Sequence, residues 1–479
     1  MKNLTSLFFL TLLILNAGAQ QEEVTRFLPD SIFGPASVSL TVADLNTGEI
    51  LCTIDPNRAL TPASITKLIS TSTALELLGS DYRFRTVIGH TGVLNRNGNI
   101  LTGDIIIRGG GDPTLGSENF PEYHPDVVAK IVSAVETAGI KKIKGRIISD
   151  DRVYDYNPAS SRWSWGDLGN YYGAGAYGLT VFDNMHKIYY RTGVRGSIPE
   201  IIKVEPEMKG LQLTSYLTAE GTTDRGYVYS APYGTYGWIT GYIPENRDDF
   251  VLKASIPDPP KLLATLVTEA LLARGIEVSG DPQTARTLVN ISDTQFWPLL
   301  ELSSPPLSEI VHLLTYESIN LYAEHMLKQV GYETSGKGTV SSGIDAVKGF
   351  LDSSGISHKG IFLEDGSGLA PRNGLSSKFM VDLIRYMVLQ GGNSEVFRNS
   401  LPPAGEDGTM KSYFRDPLFM GNLRAKTGTL SRVRSYAGVF KSASGKEYAF
   451  CIIVNNYAGA LTPVNRSIEE MFKYLIINN

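Results

Sequence analysis

Thr61-Pro62-Ala63-Ser64-Ile65-Thr66-Lys67-Leu68-Ile69 holds the most informative spacing in the chain. Thr61 suits a helix N-cap and Pro62 the first helical position, and the pattern predicts a helix to residue 78 that Gly79 stops. Residues three apart share a helix face, so the Ser64 hydroxyl and the Lys67 amine come within hydrogen-bond reach. A serine hydroxyl is a poor nucleophile until a base takes its proton. A lysine amine serves as that base when burial and nearby positive charge lower its pKa. Such a pair on an exposed helix face usually does nothing. Here Lys67 runs straight into apolar Leu68-Ile69, and no other Ser-x-x-Lys occurs in the sequence.

Outward from this helix, residues 37–54 alternate apolar and polar about Asn46-Thr47-Gly48, the pattern of two strands and a tight turn. The other end of the chain holds a matching set. A strand is expected at 423–430, then a hairpin of 436–442 and 447–456 across Ala443-Ser444-Gly445-Lys446, then an amphipathic helix from about Pro463. One sheet built from both ends, flanked by helices, makes an α/β-type domain. Residues 86–290 differ in texture, with short strands, Gly-rich turns, helices at 127–138 and 261–274, and a Tyr/Trp-rich stretch at 154–190. They read as a large inserted region of mostly β or mixed small domains. Beyond Pro306 helices return, at 307–316, 320–330, 343–353 and 377–389. The expected division is therefore multi-domain: 20–85 and 291–479 as two parts of one α/β domain, with 86–290 inserted.

Lys2, an apolar run at 4–15 and small Asn16-Ala17-Gly18-Ala19 before Gln20 make residues 1–19 a cleaved secretory signal. The run is shorter than the roughly 20 residues that span a bilayer, so the expectation is an exported, periplasmic protein with no membrane span after cleavage. Composition is globular, at 42% hydrophobic and 19% charged, and a net charge of −5 gives no reason to expect nucleic acid as a partner. Cys52 and Cys451 lie in apolar strand-like stretches, where a disulfide and two buried thiols are both open readings. The six His are scattered and no Cys/His cluster has metal-site spacing, so neither metal nor cofactor is expected.

Two further motifs follow in order. Ser318-Ile319-Asn320 falls between two predicted helices, where a hydroxyl could relay a proton and an amide could hold a carbonyl. Taken alone it reads equally as a helix N-cap, and Ser117-Glu118-Asn119 matches the same pattern. Lys426-Thr427-Gly428-Thr429 falls in the predicted strand 423–430, where lysine and threonine suit a carboxylate and Gly428 would let a substrate backbone approach. Ser-x-x-Lys, Ser-x-Asn and Lys-Thr-Gly, in that order, resemble the active site of penicillin-binding proteins and serine β-lactamases. Ser64 and Ser318 lie more than half the chain apart, far more than a compact β-lactamase needs. The chain resembles the low-molecular-mass class C penicillin-binding proteins, the D-Ala-D-Ala carboxypeptidase/endopeptidase family with domains inserted after the nucleophile helix. Leu77-Leu78-Gly79-Ser80-Asp81-Tyr82-Arg83-Phe84, Gly109-Gly110-Gly111-Asp112-Pro113-Thr114-Leu115 and Asp365-Gly366-Ser367-Gly368-Leu369 share that likeness.

The resemblance implies a penicillin-binding protein/β-lactamase-like transpeptidase fold. It also implies acylation of Ser64 by the penultimate D-Ala of peptidoglycan stem peptides, with Lys67 as base and Ser318 and Lys426 passing a proton to the leaving amine. Asn320, Thr427, Gly428 and Thr429 would bind substrate, with an oxyanion hole from the Ser64 and Thr429 N–H groups. β-Lactam antibiotics would acylate the same serine. A β-lactamase or esterase with the same residues, and a cell-wall peptide receptor that does no chemistry, are the alternatives. Arg162-Trp163-Ser164-Trp165-Gly166-Asp167 has the look of an inserted loop that meets the stem-peptide side chain in some members. Asp167 would then suit a free ammonium group; otherwise both tryptophans pack the insert and Asp167 caps a turn.

Overall fold

The computed structural model describes residues 23–288 and 295–479; the signal-sequence expectation for 1–19 lies outside them. The chain divides into two compact units: residues up to Ser80 with Val311–Ile319 and Ile344–Asn479, and Asp81–Ile310 with Asn320–Gly343.

The first unit is organised by one antiparallel sheet. It contains β1 (Ser37–Asp44), β2 (Ile50–Ile54), β3 (Leu423–Leu430), β4 (Val433–Lys441) and β5 (Glu447–Asn455). Their order is β2-β1-β5-β4-β3, so the N-terminal hairpin and the C-terminal strands form a single sheet, as the sequence pattern predicts. Among the helices of the chain are α1 (Lys67–Leu78), α2 (Leu307–Glu317), α3 (Asn320–Ser335, in the second unit), α4 (Ser377–Leu389) and α5 (Leu461–Ile477). Strand side chains alternate between faces. Val38, Leu40 and Val42 of β1 therefore join Phe440, Phe450 and the α5 residues Ile468, Met471 and Phe472 in one core. The Phe472 ring lies 4.5 Å from Phe450 and 5.7 Å from Phe440, and burying each such ring is worth roughly 1.5–3 kcal/mol. Ser39 and Thr41 point to the other face, where both hydroxyls lie 2.8 Å from Ser377 Oγ at the start of α4.

α1 is buried from Lys67 to Leu75. Its small side chains (Ser70, Thr71, Ser72, Thr73, Ala74) let it sit inside the unit rather than on its surface. One expectation at its start fails. Thr61 does not cap it, because its hydroxyl donates to the Pro371 carbonyl. The chain instead enters through Ala63, at φ 52°, and a 3-10 turn from Ala63 to Thr66. Gly79, at φ 87°, ends the helix.

The second unit has a mixed and a β-rich core. In the first, a five-stranded and a four-stranded sheet pack with helices Val127–Thr137 and Pro259–Ala273 around Ile105, Ile131, Ile147 and Leu263. In the second, short strands between Met185 and Ser255 close over Ile188, Tyr190, Val228 and Ile239. Residues 320–343, which the sequence pattern groups with 291–479, pack with this unit. Among the described residues no helix is long and apolar enough to cross a membrane.

The register settles the two cysteines. Cys451 pairs with Thr41 and Cys52 with Val42, adjacent residues of β1. The two thiols therefore point to opposite faces of the sheet and cannot bridge. Both are free and buried, and burial pushes the Cys52 thiol up to about 12. Protein denatured without reductant is expected to titrate both thiols, and its melting temperature should not respond to dithiothreitol. Absence of titratable thiol would overturn the register.

Candidate active site

Ser64 sits within the 3-10 turn, where three residues per turn place residue i+3 directly over residue i. Lys67 is thus stacked on Ser64, and its Nζ donates to Ser64 Oγ at 2.9 Å and to the Ser367 carbonyl at 2.8 Å. Lys67 is fully buried and Ser64 half-buried, so the hydroxyl faces outward from its amine.

Strand residues hold this turn from below. Asn455 closes a two-bond clamp on Thr61, accepting its N–H at 2.8 Å and donating to its carbonyl at 3.0 Å. Ser435 Oγ donates to the Pro62 carbonyl at 2.5 Å. Gly428 of β3 is the close-approach point. A Cβ there would lie 2.2 Å from Ser435 Oγ, 2.6 Å from the Pro62 carbonyl oxygen and 3.0 Å from the Ser64 nitrogen. Only glycine lets the strand come this near.

A second wall comes from the 365–370 loop. Asp365 accepts from the Gly368 and Ala370 N–H groups and from Asn373 Nδ2, folding the loop on itself. Gly368, at φ 83°, lies so close to Ala63 that a Cβ would meet its carbonyl oxygen at 2.0 Å. The loop thereby delivers the Ser367 carbonyl to Lys67 and the Gly366 carbonyl to Ser70 Oγ at 2.6 Å. Asp365-Gly366-Ser367-Gly368 stood out in the sequence only by likeness; its contribution is made by backbone carbonyls, which residue identity does not announce.

Lys426 is completely buried on β3 and donates to the Thr427 carbonyl at 2.9 Å. Its pKa falls well below the usual 10.5, first through burial and then through the charges of Lys67 and Arg434. Arg434, which sequence reasoning missed, lies across from Thr429 on β4 and donates to Thr429 Oγ1 at 2.6 Å and to the Tyr436 hydroxyl. Its guanidinium lies 4.2 Å from the centroids of both the Tyr413 and Tyr436 rings. Thr427 is buried and Thr429 exposed at the strand end.

Ser318 lies in the break between α2 and α3, at φ 60°. A non-glycine residue in the left-handed region costs of order 1 kcal/mol or more and marks a constrained position. Asn320 begins α3 and belongs to the second unit, where Nδ2 donates to the Tyr172 carbonyl at 2.8 Å. α3 is fixed there by buried polar contacts along its length. Tyr322 donates to Asp183 at 2.7 Å, and Lys328 donates to Asp155 at 2.8 Å. His325 Nδ1 lies 2.8 Å from the Gly111 carbonyl, which can only accept, so Nδ1 carries the proton and Nε2 takes the Thr180 hydroxyl. Burial holds His325 neutral by lowering it to about 3.

Asp167 is in the same unit. Its Oδ1 accepts from the Tyr172 hydroxyl at 3.3 Å, so Tyr172 touches both Asp167 and Asn320. Half-burial raises the Asp167 pKa, opposed by that hydrogen bond. Trp163 is buried, whereas Trp165 is 61% exposed.

Residues 20–473 match the family described as D-Ala-D-Ala carboxypeptidase 3 (S13). A D-alanyl-D-alanine carboxypeptidase of Actinomadura sp. strain R39 is 30% identical over 457 residues, covering 92% of this chain and 81% of that protein. The D-alanyl-D-alanine carboxypeptidase DacB of Haemophilus influenzae is 24% identical over 450 residues, covering 92% and 89%. Penicillin-binding protein 4 of Haemophilus influenzae superposes with a TM-score of 0.81 at 21% identity, covering 95% of this chain and 99% of that one, which establishes the shared fold. The nucleophile turn, the strand beside it and the large inserted unit therefore sit in a chain that belongs to the D-Ala-D-Ala carboxypeptidase 3 (S13) family.

Proposed function

We propose that the chain hydrolyses the D-Ala-D-Ala bond ending peptidoglycan stem peptides through an ester on Ser64, and that β-lactams acylate the same oxygen. The bond from Lys67 Nζ to Ser64 Oγ, made at 2.9 Å by a fully buried amine, carries this reading. The neutral Lys67 amine takes the Ser64 proton as Oγ attacks the carbonyl carbon of the penultimate D-Ala. The Ser64 and Thr429 N–H groups stabilise the oxyanion. The closeness of Gly428 to the Ser64 nitrogen supports that pairing. The C–N bond then breaks, and the leaving D-Ala nitrogen receives a proton through Ser318 and Lys426. Water cleaves the ester, releasing the shortened peptide as a carboxylate. Lys426, Thr427 and Thr429 hold the terminal carboxylate, and Asn320 holds the peptide backbone.

The same chemistry cleaves cross-links that place a D-Ala carbonyl before a D-centre amine, so DD-endopeptidase activity belongs to this proposal. Residues 1–19 read as a secretory signal support a periplasmic site of action. Product masses from cross-linked and uncross-linked muropeptides test the two activities together.

Ser64→Ala is expected to abolish D-Ala release and covalent labelling by a fluorescent penicillin while leaving thermal unfolding unchanged. Lys67→Ala should cost about as much, because the pair acts as a unit. Persistent labelling, mapped to another residue, would sink the assignment.

Acylation needs an unprotonated amine, so its rate should rise with pH along a limb to which Lys426, lowered by burial and by the charges of Lys67 and Arg434, contributes. Arg434→Gln removes one of the charges that depress Lys426. The limb should therefore move to higher pH, and an unmoved limb in stopped-flow acylation would show that Lys426 takes no part in it.

Asp167→Ala should weaken cleavage of peptides with a free side-chain ammonium, such as diaminopimelate, and spare penicillin acylation. The half-buried carboxylate with its raised pKa is what a cationic side chain would relieve. Parallel loss of both activities would make the Asp167 loop structural only.

A further inference from the structure

A small sheet in the second unit breaks the alternation its strands should obey. Its order is Gln212–Ser215, Tyr236–Thr240, Tyr227–Tyr229. One face supplies Leu213, Val228 and Ile239 to the core beneath. The opposite face should be polar where it meets solvent. Instead it carries Tyr227, Tyr229, Tyr236 and Trp238, with Tyr229 directly paired to Trp238.

These rings form a ledge. Tyr229 and Trp238 stack within 8° of parallel at a centroid separation of 5.4 Å. Trp165, from the loop that carries Asp167, leans on both at 5.1 and 5.5 Å. The ledge is open to water: Trp165 is 61% exposed, Tyr236 50% and Tyr227 42%. The register places Gln212 beside Tyr236 and Thr214 beside Trp238, so an amide and a hydroxyl share this face. Flat π faces bordered by neutral hydrogen-bonding side chains match a pyranose ring. Its axial C–H bonds present partial positive charge to the negative ring face, while its hydroxyl and acetamido groups seek amides and hydroxyls.

We infer that this aromatic ledge is a binding site for the glycan chain of peptidoglycan, with Trp165 and Trp238 stacking on its N-acetylated sugars. The inference rests on the proposed cell-wall substrate only for its choice of polymer. The ledge lies two residues along the loop from Asp167, so a polymer held at Trp165 brings its attached stem peptide to the segment proposed to read that peptide.

Glycan chains freed of all peptides by an amidase are the probe, followed by tryptophan fluorescence and cosedimentation with the full-length protein. Two of the four tryptophans lie in the ledge, so binding should perturb the emission. Trp165→Ala, at an exposed position that threatens folding little, should weaken binding about tenfold, and Trp238→Ala at least as much. Penicillin acylation, measured in parallel, should not change in either variant. Failure of acylation in the native protein would strike the proposed hydrolase, not the ledge. No binding by native protein, or equal binding by the Trp165→Ala variant, would overturn the inference. So would a native dimer that Trp165→Ala converts to monomer, since the face would then belong to a second copy of the chain.

Discussion

The Pro62 carbonyl accepts the Ser435 hydroxyl, and the Asn455 amide grips both polar groups of the Thr61 backbone. These three bonds fasten the chain to the ends of β4 and β5 just before the nucleophile. Directly after these fixed residues, Ala63 lies in the left-handed region and Ser64 sits on a 3-10 turn. Gly428 and Gly368 then close on the turn from two sides, each at a distance that excludes a side chain. Ser64 is positioned by backbone packing, with side chains as the fasteners.

That packing concentrates positive charge. Lys67, Lys426 and Arg434 are all buried within one region of the first unit. Among their partners are the Ser64, Thr429 and Tyr436 hydroxyls, the Ser367 and Thr427 carbonyls and the faces of Tyr413 and Tyr436. For Lys426, burial and the neighbouring charges of Lys67 and Arg434 disfavour the charged form, so its amine sheds its proton more readily than an exposed lysine does. The contrast with Lys328 is informative. It is equally buried, and burial lowers its pKa too, but there the Asp155 carboxylate opposes the fall.

The sheet was legible because both ends of the chain alternate cleanly, and strand 423–430 and helix 377–389 fall where the pattern put them. Three features escaped. The opening turn reads as a capped helix, because local spacing cannot show that the Thr61 hydroxyl has a distant partner in Pro371. The helix Ser394–Ser400 is too short to display a period. Residues 320–343 continue a helical run in sequence yet pack with the second unit. Around the nucleophile turn, Ser64 and Lys67 were legible from spacing, whereas Arg434, Ser435 and Asn455 were not. Each acts through register across strands, and register is a property of the pairing.

The strand order β2-β1-β5-β4-β3 carries a consequence for how the chain is made. β1 emerges early, but its neighbour on one side is β5, close to the C-terminus. During synthesis β1 stays an open edge until almost the whole chain exists, and an open edge invites foreign pairing. The stretch from Asp81 to Ile310 contains both cores of the second unit and can collapse while β1 waits. Its collapse shortens the loop that β1 and β5 must close, which lowers the entropy lost when they finally meet. The insertion therefore acts as an internal folding spacer for the domain it interrupts.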